Sequence, residues 1–315
     1  MNLNDKTRMI TESAVIVTIM TIFVFLGLYL TPIILLLYPI PFVVLGIRHN
    51  VKSSILTLFA SFILVSILID PLTSLFVTII FGPLAVALSF MLSKDYSSYR
   101  IIVIGTIVSF LSIIITLIVT DYITGVRFYD LLKNQINFIL STQESVLNEM
   151  DISSYRIEEF LDKSSLLLDN TILIFPAILV LISLFTDYIN YFISVATLKR
   201  LQYKNIKMPL FSRFRLPNNI ATGIVVIAIL STIISYYKLF YYDTIILNIT
   251  ILALFLFFLQ GLAVIVYLLG KTKINSILKG IIIFFLILSS PLMIIISLFG
   301  LIDTIIDFRK LKEVK

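Results

Sequence analysis

Few side chains in this sequence could do chemistry, and the most informative lie inside long apolar runs. Asp187 and Asn190 stand three residues apart in the apolar run 171–198, so a helix would place them on one face. An ionised Asp at the centre of a membrane helix costs about 2.5–3.5 kcal/mol, and we therefore expect both side chains to face protein rather than lipid. There they could bind a ligand or an ion, or make an interhelical hydrogen bond worth about 1 kcal/mol. Asp187 could alternatively reach the inner headgroups by snorkelling.

Other polar side chains occur in and after the later apolar runs. Gln260 lies within the run 244–269 and is a further candidate for an interior polar or ligand-contacting residue. Asp303, Asp307 and Arg309 follow the last apolar run, where a local salt bridge at the inner membrane interface is the simplest expectation.

The usual signatures of catalysis and metal binding are missing. The sequence has no cysteine, which excludes thiol catalysis and thiolate metal sites, and His49 alone cannot form a histidine cluster; we expect it to be a loop residue. HExxH and GxSxG motifs are absent, and Gly270-Lys271-Thr272 lacks the earlier glycine and the preceding strand of a phosphate loop. We therefore predict that the protein is not an enzyme and uses no cofactor and no metal.

The elements that carry these residues are predicted to be membrane helices. Hydrophobic residues make up 59% of the 315 positions, charged residues make up 13%, and the mean hydropathy is +1.09. A spanning helix needs about 20 apolar residues. Candidate segments are 12–30, 33–47, 53–70, 72–93, 100–121, 171–198, 219–237, 244–269 and 276–302. The predicted fold class is all-α, a polytopic transmembrane helix bundle of about nine to ten segments.

A basic run between the apolar blocks predicts the orientation in the membrane. Residues 199–217 contain no acidic residue, and their cationic side chains are Lys199, Arg200, Lys204, Lys207, Arg213 and Arg215, with Pro217 at the end. Because cationic residues beside a span stay in the cytoplasm, we predict a cytoplasmic N-terminus and a cytoplasmic loop. The net charge of +6 then reflects topology and anionic lipid rather than nucleic acid.

The charge rule makes the last apolar run ambiguous. If 276–302 crossed once, the basic C-terminus after it would lie outside, against the rule. We therefore favour a re-entrant or two-helix hairpin over 276–308 that bends near Pro291, with a single crossing as the alternative.

The segment 121–170 is the largest piece predicted outside the membrane. Phe128, Leu131 and Leu132 begin one helical apolar stripe, and Ile157 and Phe160 belong to a second. We expect two amphipathic helices, which either lie at the outer lipid interface or form a lid over an outward-facing cavity.

Several phrases of the sequence resemble a known family. They are Asp187-Tyr-Ile-Asn-Tyr191, Leu198-Lys-Arg-Leu201, Pro209-Leu-Phe-Ser-Arg-Phe-Arg-Leu-Pro217 and Gly300-Leu-Ile-Asp-Thr-Ile-Ile-Asp-Phe-Arg-Lys310. Together they resemble the YybS-type family of uncharacterised integral membrane proteins of Gram-positive bacteria. The N-terminal part of that family is similar to the S components of energy-coupling-factor transporters, which are six-helix substrate-binding subunits.

The resemblance implies a domain organisation and a membrane partner. Residues 1–198 would be an S-component-like six-span membrane domain carrying the 121–170 insert, followed by the basic loop 199–218 and a C-terminal membrane block, 219–315. S components meet a coupling subunit through small residues on their first helix, where this sequence has Ala14, Thr18 and Thr21. The C-terminal block could replace that partner or occupy its docking surface.

Two functions follow as hypotheses. The first is a multi-pass membrane protein that binds or translocates a small-molecule substrate in an S-component-like manner. The alternative is a non-transporting membrane scaffold or regulatory protein for an envelope or cytoplasmic partner. The expected partners are the lipid bilayer, a possible small-molecule ligand, and a possible membrane coupling partner or self-association; nucleic acid is not expected.

Overall fold

The described part of the protein is all-helical, which confirms the predicted fold class. The structure is a computed structural model that describes residues 3–150, 154–203, 210–237 and 241–309. Within them no strand occurs, and the helices are α1 Leu3–Tyr29, α2 Pro39–Arg48, α3 Val51–Leu68, α4 Pro71–Ser93, α5 Ser98–Thr124, α6 Phe128–Glu149, α7 Ser154–Leu173, α8 Phe175–Arg200, α9 Asn218–Tyr236, α10 Tyr242–Lys271, α11 Ser276–Leu288 and α12 Ser290–Ile306. Short 3-10 helices cover Pro32–Leu37 and Phe211–Arg213.

Six of the described helices are long and apolar enough to cross a membrane, against the nine or ten segments expected. They are α1 (over Asp5–Tyr29), α3, α4, α5, α8 and α10, and the bent pair α11 and α12 would make a seventh. The expected segment 33–47 is instead a 3-10 turn followed by the short α2. Pro39 explains the break, because a proline lacks the N–H of a helix interior and favours the first turn of a new helix.

The last apolar run bends where the sequence indicated. The chain leaves the helical conformation at Ser289, Pro291 lies in the first turn of α12, and α11 and α12 meet at a bend of 103°. This angle is far from a straight helix and also short of an antiparallel hairpin. The number of times the run crosses the membrane stays a prediction. Five basic residues of the loop 199–217 and of the C-terminus lie outside the described residues: Lys204, Lys207, Lys310, Lys312 and Lys315.

The contacts divide the chain into two compact units, which we describe separately. Unit 1 consists of residues 1–139 and 179–208, and unit 2 consists of residues 140–178 and 209–315. Residues 140–178 thus group with the C-terminal part of the chain rather than with the helices that precede them.

Unit 1 has an apolar core where α2, α3 and α4 pack together. Phe42, Leu84 and Leu88 are fully buried in this core. The Tyr38 hydroxyl lies 3.1 Å from Ser61 Oγ, which links the start of α2 to α3. The turn from α3 into α4 is short. Asp70 in this turn caps α4 by accepting a 2.7 Å hydrogen bond from the Thr73 N–H.

In unit 2, α10 and α12 pack with their backbones in close contact. A Cβ atom at Gly261 would clash with the Ile296 carbonyl, and one at Gly300 would clash with the Phe257 carbonyl. Small residues let membrane helices approach in this way. The Asn248 side chain ties α10 to the α7–α8 junction, accepting a 2.6 Å bond from the Ala177 N–H and donating one of 2.7 Å to the Leu173 carbonyl.

The segment 121–170 contains the two helices expected there, α6 and α7. Gly125 ends α5 with φ +68°, a conformation that glycine adopts without strain. Asp121 then accepts a 2.8 Å hydrogen bond from the Phe128 N–H and so caps the start of α6. Apolar side chains such as Phe138 and Tyr155 remain exposed. Whether this segment lies at the lipid interface or acts as a lid stays a prediction.

Candidate functional site

One face of α8 is polar and buried over the three turns in the middle of the helix. Ser183, Asp187, Asn190 and Ser194 follow the three-and-four spacing of a single helix face, and all four are 0% exposed. The pair that the sequence singled out therefore lies in the interior of unit 1. For these side chains the structure excludes both a lipid-facing position and snorkelling to the headgroups.

Asp187 faces the backbone of α5 at a glycine. A Cβ atom added to Gly105 would clash with Asp187 Oδ1 and also come within 2.8 Å of Oδ2. The absence of a side chain at Gly105 therefore makes the room that the carboxylate occupies. This contact joins residues 82 positions apart in the sequence (187 − 105), and only the tertiary fold brings them together.

The Asp187 carboxylate has no protein partner in the described part of the chain. Neither of its oxygens accepts a hydrogen bond, and none of the ion pairs between described residues involves it. Asn190 Oδ1 and Ser194 Oγ on the same face are also buried without a partner among these residues. Most buried polar atoms in proteins are paired, so several unpaired atoms on one helix face require an explanation.

The amide nitrogen of Asn190 has a structural role. It donates 2.8 Å hydrogen bonds to the Leu36 carbonyl in the 3-10 turn and to the Thr186 carbonyl of its own helix. At the next residue, the Tyr191 hydroxyl donates a 2.9 Å bond to Ser98 Oγ at the start of α5. These bonds hold α8 against two neighbouring elements and leave the oxygen of the amide free.

The atoms left unpaired favour a particular kind of ligand. The two Asp187 oxygens and Asn190 Oδ1 are acceptors, and helix geometry spaces these two residues about 4.5 Å along the axis. Such a set suits a group that donates hydrogen bonds or carries positive charge, for example an ammonium group. Within the described ranges, no group of three or more His, Asp or Glu side chains lies together in a way that could hold a metal ion.

The other candidate residues form a separate cluster in unit 2. Gln260 and Asp303 are buried, and the Gln260 amide donates a 2.6 Å hydrogen bond to Asp303 Oδ2. Arg309 donates a 2.9 Å bond to the same oxygen, and both side chains of this ion pair are almost fully buried. Gln260 is therefore part of a hydrogen-bonded ionic cluster of unit 2, whereas Asp187 belongs to unit 1.

This cluster holds the end of the basic loop. The Leu216 N–H donates a 3.0 Å bond to Gln260 Oε1, and Arg309 donates a 2.8 Å bond to the Ser212 carbonyl. Arg215 forms a 3.3 Å ion pair with Asp307. Gln260, Asp303 and Arg309 thus fix the backbone that leads into α9.

The remaining cationic residues of the loop are not part of that cluster. Lys199 and Arg200 are exposed in the last turn of α8, where positive charge complements the helix dipole. Arg213 is exposed at the end of its 3-10 helix, and Pro217 precedes the first residue of α9.

One ionic cluster was missed by the sequence reasoning. Glu12 accepts a 2.7 Å bond from Arg48 and lies 2.8 Å from His49 Nε2, and Arg8 adds a 3.1 Å ion pair from the preceding turn of α1. His49 lies in the turn between α2 and α3, as expected of a loop residue, and it is also a partly buried member of this ionic cluster. The only local signal was the spacing of Arg8 and Glu12, which suits an intrahelical ion pair.

Comparison with known proteins supplies a family. No curated protein and no solved structure matches the chain. The family model described as "Predicted membrane protein (DUF2232)" matches residues 17–304, a range that contains both Asp187 and the Gln260–Asp303 pair. Because this match extends over most of the chain, the protein belongs to the DUF2232 family of predicted membrane proteins.

Proposed function

We propose that this protein binds or translocates a small-molecule substrate, and that Asp187 and Asn190 contact it inside the N-terminal part of the chain. The observation that carries the proposal is the buried Asp187 carboxylate, which has no partner among the residues that the structure describes. A buried charge is strongly unfavourable unless it is paired, so a cationic or hydrogen-bond-donating substrate would stabilise the site on binding.

The proposal includes a place in the cell and an architecture. We propose a multi-pass protein of the bacterial plasma membrane with a cytoplasmic N-terminus and nine to ten membrane segments, of which residues 1–198 form an S-component-like six-span half. Support comes from the basic loop residues and from the phrases that resemble the YybS-type family. The protein would bind its substrate without changing it chemically, as a carrier rather than an enzyme.

A coupling partner or a second copy of the chain would contact α1 in this scheme. Ala14 and Thr18 are exposed on this helix, whereas Thr21 is buried and donates a 2.9 Å hydrogen bond to the Val17 carbonyl of its own helix. The contact surface would therefore centre on Ala14 and Thr18.

The second candidate function is a membrane scaffold or regulatory protein. It is favoured by the Gln260–Asp303–Arg309 cluster, which holds the end of the basic loop in one conformation. Because its backbone is held at Ser212 and Leu216, this end of the loop could present a fixed cationic surface to a cytoplasmic partner.

Native mass spectrometry of the gently purified protein separates the two functions. Substrate binding predicts an additional small mass on the wild-type protein that is lost from Asp187→Leu. It should be retained in the control Ser183→Ala, because the Ser183 hydroxyl is already bonded to the Leu179 carbonyl at 2.7 Å. A wild-type protein without any such mass, or a mass retained by Asp187→Leu, would contradict binding at this site and favour the scaffold.

A further inference from the structure

Unit 2 contains a cavity that the proposed substrate site does not use. It lies between α9, α10 and α12 and has a volume of about 490 Å³, within the usual range of roughly 300–1,000 Å³ for ligand pockets. Its walls are mainly aliphatic, with contributions from Ile246, Leu254 and Leu298. No charged residue is among those that line it in the described ranges.

The cavity wall contains a buried hydroxyl group that is free to bond. Ser231 is only 6% exposed, and its Oγ has no hydrogen-bond partner among the residues whose structure is described. Serines in helices commonly donate to the carbonyl four residues earlier, as Ser183 does. The Ser297 hydroxyl, also in the wall, is already bonded to the carbonyls of Leu254 and Met293 at 3.0 and 2.7 Å. Thr232, Ser235 and Thr250 also line the cavity, but Ser231 is the lining hydroxyl that is both buried and without a partner among the described residues.

The position of Ser231 in the membrane is indicated by nearby tyrosines. Tyr236, Tyr237 and Tyr241 lie at the junction of α9 and α10 and are 68–82% exposed. Exposed tyrosines are typical of the membrane–water interface. Ser231 precedes Tyr236 by five residues, so it lies about 7.5 Å further into the membrane. This is the depth at which the ester groups of a lipid give way to its hydrocarbon chains.

We propose that this cavity binds an acyl chain of a membrane phospholipid, with the ester carbonyl accepting a hydrogen bond from Ser231 Oγ. The apolar walls suit the hydrocarbon chain, and the buried Ser231 hydroxyl suits a neutral acceptor at its end. A charged metabolite would have no counter-charge in these walls and is disfavoured by the cost of its desolvation. The proposal is independent of the substrate site at Asp187.

Photo-crosslinking tests the proposal in the full-length protein. The protein is placed in nanodiscs that contain phosphatidylglycerol with a photoactivatable group on one acyl chain, and the labelled peptides are identified by mass spectrometry. We expect labels on residues of α9, α10 and α12 that line the cavity. Ser231→Ala should reduce this labelling about fivefold, the effect of losing one neutral hydrogen bond. Ala253→Phe, which fills the cavity, should reduce it about tenfold or more.

The controls make the outcome decisive. Leu268→Phe changes an exposed position of α10 that does not line the cavity, and should leave labelling unchanged. Asp187→Leu should also leave it unchanged, so failure here and failure of the proposed substrate site are distinguishable. Equal labelling of wild type and Ser231→Ala would overturn the proposal, as would labelling by a photoactivatable free fatty acid but not by the phospholipid.

Discussion

Replacing Asp187 with leucine is expected to raise the stability of the ligand-free protein. Leucine has as many side-chain heavy atoms as aspartate, but its methyl groups are bulkier than carboxylate oxygens, so repacking against Gly105 offsets part of the gain. It removes a carboxylate that has no partner among the described residues. If Asp187 instead made a structural hydrogen bond, its replacement by leucine would lower the stability of the protein by about 1 kcal/mol.

The magnitude follows from the cost of placing each residue in a membrane helix. On insertion scales a central Asp is unfavourable by about 2.5–3.5 kcal/mol and a Leu favourable by about 0.3–0.6 kcal/mol, a difference of roughly 3–4 kcal/mol. The unfolded state in a membrane also finds partners for a polar side chain, which reduces the difference. We therefore expect a gain of about 1–3 kcal/mol, or a melting temperature higher by about 1.5–5 °C.

Circular dichroism is a suitable assay, because the helical signal is strong and the chain has neither tryptophan nor cysteine for other probes. Wild type and Asp187→Leu are melted in the same detergent after extensive washing to remove bound small molecules. Ser183→Ala serves as the control and should melt close to wild type. A lower melting temperature for Asp187→Leu would refute the reasoning, because it would show that the carboxylate holds the fold together.

Three further predictions concern packing, the ionic cluster and orientation. Gly105→Ala should destabilise the protein by about 1–3 kcal/mol, since its Cβ would clash with the Asp187 carboxylate, and thermal melts would measure the loss. Asp303→Leu should cost about 3–5 kcal/mol in the same assay, because it leaves the buried Arg309 charge without its partner. A cysteine introduced at Ser145 should react with an impermeant reagent in intact cells, as expected for a segment outside the membrane.

Each of these predictions has a control or a contradicting result. Adding Asp187→Ala to Gly105→Ala should restore part of the lost stability, and no recovery would show that the two residues do not compete for space. The control for Asp303→Leu is Arg213→Ala, at an exposed position of the basic loop 199–217. It should change the stability by less than about 0.5 kcal/mol. Labelling at Ser145 only after membrane disruption would reverse the predicted orientation.

Local patterns in the sequence were sufficient for the fold class and for two residues of the candidate site. Composition and apolar runs predicted an all-helical membrane protein, because both signals are independent of tertiary contacts. The three-residue spacing of Asp187 and Asn190 placed them on one face, and the cost of lipid exposure predicted an interior position. Pro291 with its neighbouring serines located the bend between α11 and α12.

Contacts between distant segments could not be predicted in this way. Nothing in the sequence pairs Gly105 with Asp187, or Gln260 with Asp303, because these contacts depend on which helices are neighbours. The sequence therefore suggested Gln260 as a further ligand-contacting residue, although its amide is hydrogen-bonded within the ionic cluster. The number of membrane segments could not be predicted in this way either. The apolar run 33–47 contains Pro39 and Pro41, and such a run fits either one short span or two short helices.

A crystal structure of the natively purified protein would test the central claim most directly, through the electron density beside Asp187. Substrate binding at this site predicts a non-protein group whose nitrogen or oxygen atom lies about 2.6–3.2 Å from an Asp187 carboxylate oxygen, with Asn190 Oδ1 as a second partner. A carboxylate bonded instead to a donor of the protein itself would contradict the account.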